Sequence, residues 1–164
     1  MKVLLINGSP NKQGCTYTAL HEIEKILQKH QIETEIFYLG KRPIGGCIAC
    51  RICRNTGECF QTDILQDLSK RLDEFDALIV GSPVYYASAT GQLTAFLDRL
   101  FYSCGRKLSG KPGASVVSCR RGGATAAFDQ LNKYFAINNM PIVTSQYWNQ
   151  VHATCIVRSI SCPI

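Results

Sequence analysis

Short apolar runs and amphipathic stretches alternate along this chain, and that alternation constrains its fold more than any other feature. Lys2 to Ile6 is a continuous apolar run of the kind buried on both faces of a parallel sheet. Leu20, Ile23, Ile26 and Leu27 recur at helical spacing and predict a helix from about Thr16 to His30. Glu33 to Leu39 alternates and reads as a second strand, and Asp63 to Asp73 as a short helix with Ile64, Leu65, Leu68 and Leu72 inward. Ala77 to Val80 is a third strand, stopped by Gly81-Ser82-Pro83. Leu93, Phe96, Leu97, Leu100 and Phe101 mark a helix from Gly91 to Tyr102, and Pro112 to Ser118 a fourth strand. Ala124, Ala127, Phe128, Leu131 and Phe135 mark the next helix, and Pro141 to Tyr147 is the fifth strand expected. Parallel strands need crossovers, and helical crossovers cover both sheet faces. The expectation is an α/β fold: a doubly wound, five-stranded parallel sheet in three layers, with residues 1–164 as one domain.

The chain carries nine cysteines, four of them within a glycine-bearing loop at residues 45–60. Cys47, Cys50, Cys53 and Cys59 follow the spacing C-x2-C-x2-C-x5-C. Four soft sulfur donors at short range suit an iron–sulfur cluster or a tetrahedral metal. The spacing differs from the bacterial ferredoxin run, whose fourth cysteine comes sooner and precedes proline. The paired halves of a zinc ribbon lie farther apart. A [4Fe-4S] cluster, bare thiols and zinc all stay open on spacing alone. Cys15, Cys104, Cys119, Cys155 and Cys162 are scattered and read mostly as small buried hydrophobes.

Met1 to Ile6 runs too quickly into Gly8-Ser9-Pro10 to be a signal peptide, and no apolar run approaches the ~18 residues of a membrane span. A cytoplasmic protein with no membrane contact is expected, and there metal or redox use of cysteine is favoured over disulfides. The formal charge of +6 is modest, and its paired cations lie near loops rather than on one basic face with interleaved aromatics. That argues against a nucleic-acid partner.

Ligands of open parallel sheets bind at the carboxyl ends of the strands. Three loops leave such ends with suggestive residues. Gly8 to Thr16 offers hydroxyls, a side-chain amide and a helix start, which suit a terminal phosphate. It is neither a G-x-G-x-x-G turn nor a Walker loop, so dinucleotide and nucleoside triphosphate readings lose ground. Ser82 to Ser88 pairs a proline-stiffened turn with Tyr85 and Tyr86, an aromatic wall for a heterocycle. Ser118 to Gly123 holds Arg120, Arg121 and two glycines that let a backbone approach a flat ring.

These loops, Gly8-Ser9-Pro10 with Gly14-Cys15-Thr16, Gly81 to Tyr86 and Cys119 to Gly123, resemble those of the NADPH-dependent FMN reductase and iron–sulfur flavoprotein families. The resemblance runs from Met1 to about His152 and implies a flavodoxin-like fold binding FMN. It implies Ser9, Asn11, Gly14, Cys15 and Thr16 around the phosphate, and Pro83, Val84, Tyr85 and Tyr86 beside the isoalloxazine ring. Arg120, Gly122 and Gly123 then lie near the ring, and Cys47, Cys50, Cys53 and Cys59 match the compact cluster motif. The implied activity is an FMN-dependent oxidoreductase taking electrons from NAD(P)H to a quinone, azo or nitro compound, flavin or electron carrier. The alternatives are an iron–sulfur carrier taking electrons from ferredoxin through a [4Fe-4S] cluster to FMN, and a non-catalytic flavin-binding module. No side chain is named as catalytic, because the flavin supplies the chemistry.

Two departures stand out. Position 15 is usually asparagine in such loops and is cysteine here, and His152 to Ile164 shows no stripe for the family's last helix. An uncovered sheet face implies a homodimer or homotetramer, as the family resemblance also does.

Overall fold

A computed structural model describes residues 1–152. Five parallel strands form one sheet: β1 (Lys2–Asn7), β2 (Glu33–Tyr38), β3 (Ala77–Pro83), β4 (Gly113–Cys119) and β5 (Gln150–His152). Their order is β2-β1-β3-β4-β5, so the direction of winding reverses beside β1. That reversal opens a crevice at the carboxyl ends of β1 and β3. Helices α1 (Cys15–Lys29), α4 (Gly91–Leu108) and α5 (Ala124–Ile137) are the long crossovers; α2 (Cys53–Thr56) and α3 (Ile64–Ser69) are short.

Successive residues of a strand point to opposite faces, and β1 shows what that does to an unbroken apolar run. Leu4 and Ile6 join Leu78, Val80 and Val117 in the larger core, under α3, α4 and α5. Val3 and Leu5 face the other way and pack with Ala77, Val116 and Leu20 of α1. All four β1 residues are at most 2% exposed, so burial on both faces is what their composition required. Each such side chain contributes roughly 1.5–3 kcal/mol by leaving water. Among the described residues α1 is the one helix of the smaller core. The expected absence of a last helix concerns residues outside those described, as do Cys155 and Cys162.

Four boundaries differ from the sequence reading. α3, expected to run to Asp73, ends at Ser69, and a separate 3-10 turn follows at Leu72–Glu74. β3 runs on through Gly81 and Ser82 to Pro83 instead of stopping at Val80. α4 continues to Leu108, because Cys104 and Leu108 extend its buried stripe. The fifth strand is displaced. Pro141 has no N–H to give a ladder, and residues 141–143 touch β4 only at Gly113, whose N–H donates to the Pro141 carbonyl at 2.9 Å. The chain then turns through Ser145 to Trp148 and pairs with β4 again at Gln150–His152. Among the described residues no helix is long and apolar enough to cross a membrane.

Candidate functional site

The strands end together at one edge, and small buried polar groups shape the loop that leaves β1. Asn7 is fully buried at the end of that strand. Its Oδ1 accepts the Ser9 N–H at 3.1 Å, and its Nδ2 donates to the Lys12 carbonyl at 3.2 Å. One amide thus closes a turn two residues on and pins the far side of the loop. The Asn11 N–H donates to Ser9 Oγ at 3.1 Å, and the Tyr38 hydroxyl donates to the Pro10 carbonyl at 2.8 Å. Beneath, the Gly8 N–H donates to the Gly81 carbonyl, and the Thr90 hydroxyl donates to the Gly8 carbonyl. A Cβ on Gly8 would lie 2.6 Å from Leu93 Cδ2 and 3.0 Å from the Gly81 carbonyl oxygen, so only glycine fits there.

Gly14 is the N-cap of α1, and no side chain caps the helix. A helix start left uncapped by side chains, at a polar loop, presents N–H groups and the positive end of the helix dipole to an anion. Cys15 opens α1; it is disulfide-bonded, unlike the reduced cysteines expected. Ser9 and Thr16, expected around a phosphate, are both buried. Thr16 Oγ1 lies 2.8 Å from Ser118 Oγ of β4, so its hydroxyl ties the loop to the sheet. Asn11, Lys12 and Gln13 are the exposed polar groups of this loop.

The loop after β3 is a tight hairpin. Tyr85 and Ser88 exchange backbone hydrogen bonds at 2.9 and 3.0 Å, with Tyr86 and Ala87 between them at φ of 52° and 58°. Two successive residues in the left-handed region are the backbone of a type I′ turn, which normally uses asparagine and glycine. Holding a tyrosine and an alanine there costs about 1–3 kcal/mol per residue, and such strain collects at ligand sites. α5 fixes the hairpin: Gln130 Oε1 accepts from Ser88 Oγ and from the Ala89 N–H, at 2.8 and 2.9 Å. Gly123, the N-cap of α5 at φ 90°, lies so close that a Cβ would sit 2.9 Å from Ala87 Cα. Tyr86 is left fully exposed.

Between this hairpin and the loop after β4 lies an open cavity of 350 Å³, lined by Val84, Tyr86, Ala87, Cys119, Arg120, Arg121 and Gly122. That is the size of a small-molecule site. Of the residues expected at a ring, Val84, Tyr86, Arg120 and Gly122 line it. Pro83 ends β3, Tyr85 closes the hairpin, and Gly123 supports the hairpin from behind. Burial pushes the Cys119 thiol up, so it stays protonated at the cavity wall. The uncapped helix start, the cavity and the Thr16–Ser118 bond joining their loops fit a flat ring carrying a phosphate.

The cysteine loop stands apart from the sheet. Cys47, Cys50, Cys53 and Cys59 line one recess together with Arg99, Tyr102 and Ser103 of α4. All four are free thiols, Cys47 and Cys50 exposed and the other two half-buried. Burial and then the neighbouring Cys50 push the Cys53 thiol up. Among the described residues no three His, Cys, Asp or Glu side chains close on a single ion, so the recess gathers the sulfurs without forming a tight shell. The donor set, four sulfurs around one recess, fits a cluster with four thiolate ligands.

Arg99 holds this loop. Its side chain is fully buried on α4, paired with Asp63 through both Nη1 and Nη2. Nη1 also donates to the Gly45 carbonyl at 3.2 Å and Nη2 to the Gln61 carbonyl at 3.0 Å, while Nε donates to Cys59 Sγ at 3.2 Å. Five N–H groups thus meet five acceptors. Burial alone would lower the guanidinium's pKa, but its bonds to Asp63 and Cys59 hold it above its ordinary value. Asp63 also accepts the Leu65 N–H at 3.0 Å and so caps α3.

The sequence pattern did not single out Gln130 or Arg99, and marked Ser118 only as the start of a loop. A signal existed for Arg99, which sits in phase with Phe96 on the apolar stripe of α4. A cation at an inward position needs buried acceptors, but the sequence does not say which.

A family model described as NADPH-dependent FMN reductase matches residues 1–154. An iron–sulfur flavoprotein of Methanocaldococcus jannaschii is 33% identical, over 87% of this chain and 76% of that protein. Another, of Archaeoglobus fulgidus, is 37% identical over 71% of this chain, which spans 54% of its length. The structure of an archaeal flavodoxin superposes with a TM-score of 0.65 at 16% identity, covering 94% of this chain and 86% of that one.

Proposed function

The chain belongs to the NADPH-dependent FMN reductase family, and from that premise we propose that it is an FMN oxidoreductase accepting electrons from NAD(P)H. The observation that carries this reading is an uncapped helix start and a 350 Å³ cavity at the carboxyl ends of the strands, linked through the Thr16–Ser118 contact. Bound FMN supplies hydride or one-electron chemistry. The chain's residues bind and orient it. The α1 N-terminus with Asn11 and Lys12 receives the phosphate, Val84 and Tyr86 border the ring, and Arg120 and Arg121 add positive charge at the cavity mouth. The acceptor is a quinone, an azo or nitro compound, a flavin or an electron carrier, and the open cavity leaves room for a flat acceptor against the ring.

A specific observation favours a second centre in the same protein. Four free thiols line one recess, and relatives that share this chain's length well are iron–sulfur flavoproteins. Cys47, Cys50, Cys53 and Cys59 would hold a [4Fe-4S] cluster, whose chemistry is one-electron exchange with a carrier of the ferredoxin kind. A cytoplasmic location would keep these four thiols reduced. The exposed Tyr85 and Tyr86 at the ring side, and the exposed Trp148, support a homodimer or homotetramer that buries them between subunits. Light scattering at the mass of a single chain would refute the assembly.

The deciding experiment is an absorption spectrum of protein purified without air, with iron analysis and NADPH oxidation in the presence of a quinone. Flavin bands, turnover and roughly four irons per chain are expected. Colourless protein without turnover would overturn the reading.

A further inference from the structure

Arg99 is a buried cation whose burial has a cost that only full pairing offsets. The pairing is complete, and its direction is informative. Gly45 precedes the first cysteine of the loop, Cys59 is the last, and Gln61 and Asp63 follow it. One planar group therefore ties the entry of the loop to its exit, from a rigid 18-residue helix behind it. Three of its five N–H groups would suffice to close the loop through the two carbonyls and one carboxylate oxygen. The Nε–H instead points at a sulfur, a weak acceptor when neutral and a strong one when charged. The fourth cysteine is also the one set apart by the longer spacing, so it is the sulfur with least help from its own loop.

From this we infer that Arg99 is a positioning and tuning residue for the cysteine centre: it sets the Cys59 sulfur at the recess and, through Nε–H, stabilises negative charge on it. The inference rests on the cluster reading given above. A hydrogen bond to a cluster thiolate favours the more negative, reduced state and raises the reduction potential. A role confined to packing would leave that potential unchanged.

The test uses full-length protein purified without air, with FMN bound and the cluster loaded. Arg99→Gln and Arg99→Lys are compared with wild type for iron per chain, cluster midpoint potential by electron paramagnetic resonance, and flavin midpoint potential. The expected result is a more negative cluster potential in both variants, or iron falling to less than half the wild-type content. Flavin content and potential should be unchanged. Lysine keeps the charge but cannot span Asp63 and Cys59 together, so it should not rescue. If both variants fail to fold, wild type carrying 15N only in its arginine guanidinium groups decides the matter: pulsed spectra of the reduced cluster should show a nitrogen coupling. Iron-loaded variants with an unchanged cluster potential, or no coupling in the labelled protein, overturn the inference alone. Wild type that takes up no iron overturns the cluster reading and this inference with it.

Discussion

The loop after β1 and the cysteine loop both surround places where a redox group would sit, yet they are held by opposite means. The first grows from the carboxyl ends of paired strands. Asn7, Ser9, Thr16 and Ser118 are small, buried and within hydrogen-bonding reach of neighbouring loop or sheet atoms. Its shape is distributed over many short bonds, each worth about 1 kcal/mol. The second stands outside the sheet, mostly exposed, with Arg99 reaching out from α4 to fasten both of its ends. A loop built on the sheet tolerates the loss of one bond. A loop hung on one buried charge does not.

The largest expected effect breaks the second arrangement. Asp63→Ala leaves the Arg99 charge buried without its carboxylate, and removing one partner of a buried pair costs about 3–5 kcal/mol. Urea unfolding should show that loss, and FMN affinity, measured on the folded fraction by flavin fluorescence, should hold. A loss under 1 kcal/mol would show that the cysteine loop does not depend on this pair.

Gly123→Ala strikes the sheet-side region where it is least forgiving. The new Cβ meets the hairpin backbone at Ala87 from a left-handed conformation, at a cost of about 1–3 kcal/mol. Weaker FMN binding with unaltered iron content is the outcome that keeps the two regions separate. Ser9→Ala should do less. It removes the acceptor of one N–H in a loop with several other bonds, and a cost of about 1 kcal/mol raises the FMN dissociation constant about fivefold. A hundredfold change would mean that this hydroxyl touches the phosphate directly.

The smallest effect is a control beside neither loop. Arg71 holds the Glu35 carboxyl below the usual carboxylate range, chiefly through hydrogen bonding and then charge. The stabilisation is present above the unfolded value of about 4.3 and is lost as pH falls through the lower folded value. Glu35→Gln should therefore cost about 0.2–1 kcal/mol at neutral pH, with the gap to wild type closing in acid. FMN and iron content should not respond.

The family's three loops were legible in order because each is a local pattern at a strand end, glycine, serine and proline in the first two and paired glycines in the third. The hairpin at Tyr86 and Ala87 was not, since neither residue favours a left-handed turn and only α5 behind them holds it. β5 was misplaced for a related reason. Val143 and Tyr147 suit a strand by composition, but after one bridge at Gly113 the chain turns away through Ser145 to Trp148 and pairs with β4 again only at Gln150–His152.

By itself the sequence determined the sheet and its helices, because periodicities of two and 3.6 residues dictate which side chains leave water, and burial is the dominant favourable term. It also placed four cysteines on one short loop, which limits what that loop can hold. Only the tertiary structure decided that Thr16 turns to Ser118, that Gly123 stands behind the hairpin, and that Arg99 reaches Cys59 across 40 residues of chain. Hydrogen bonds and close contacts of this kind depend on directions and distances between elements, and a linear pattern carries no record of either.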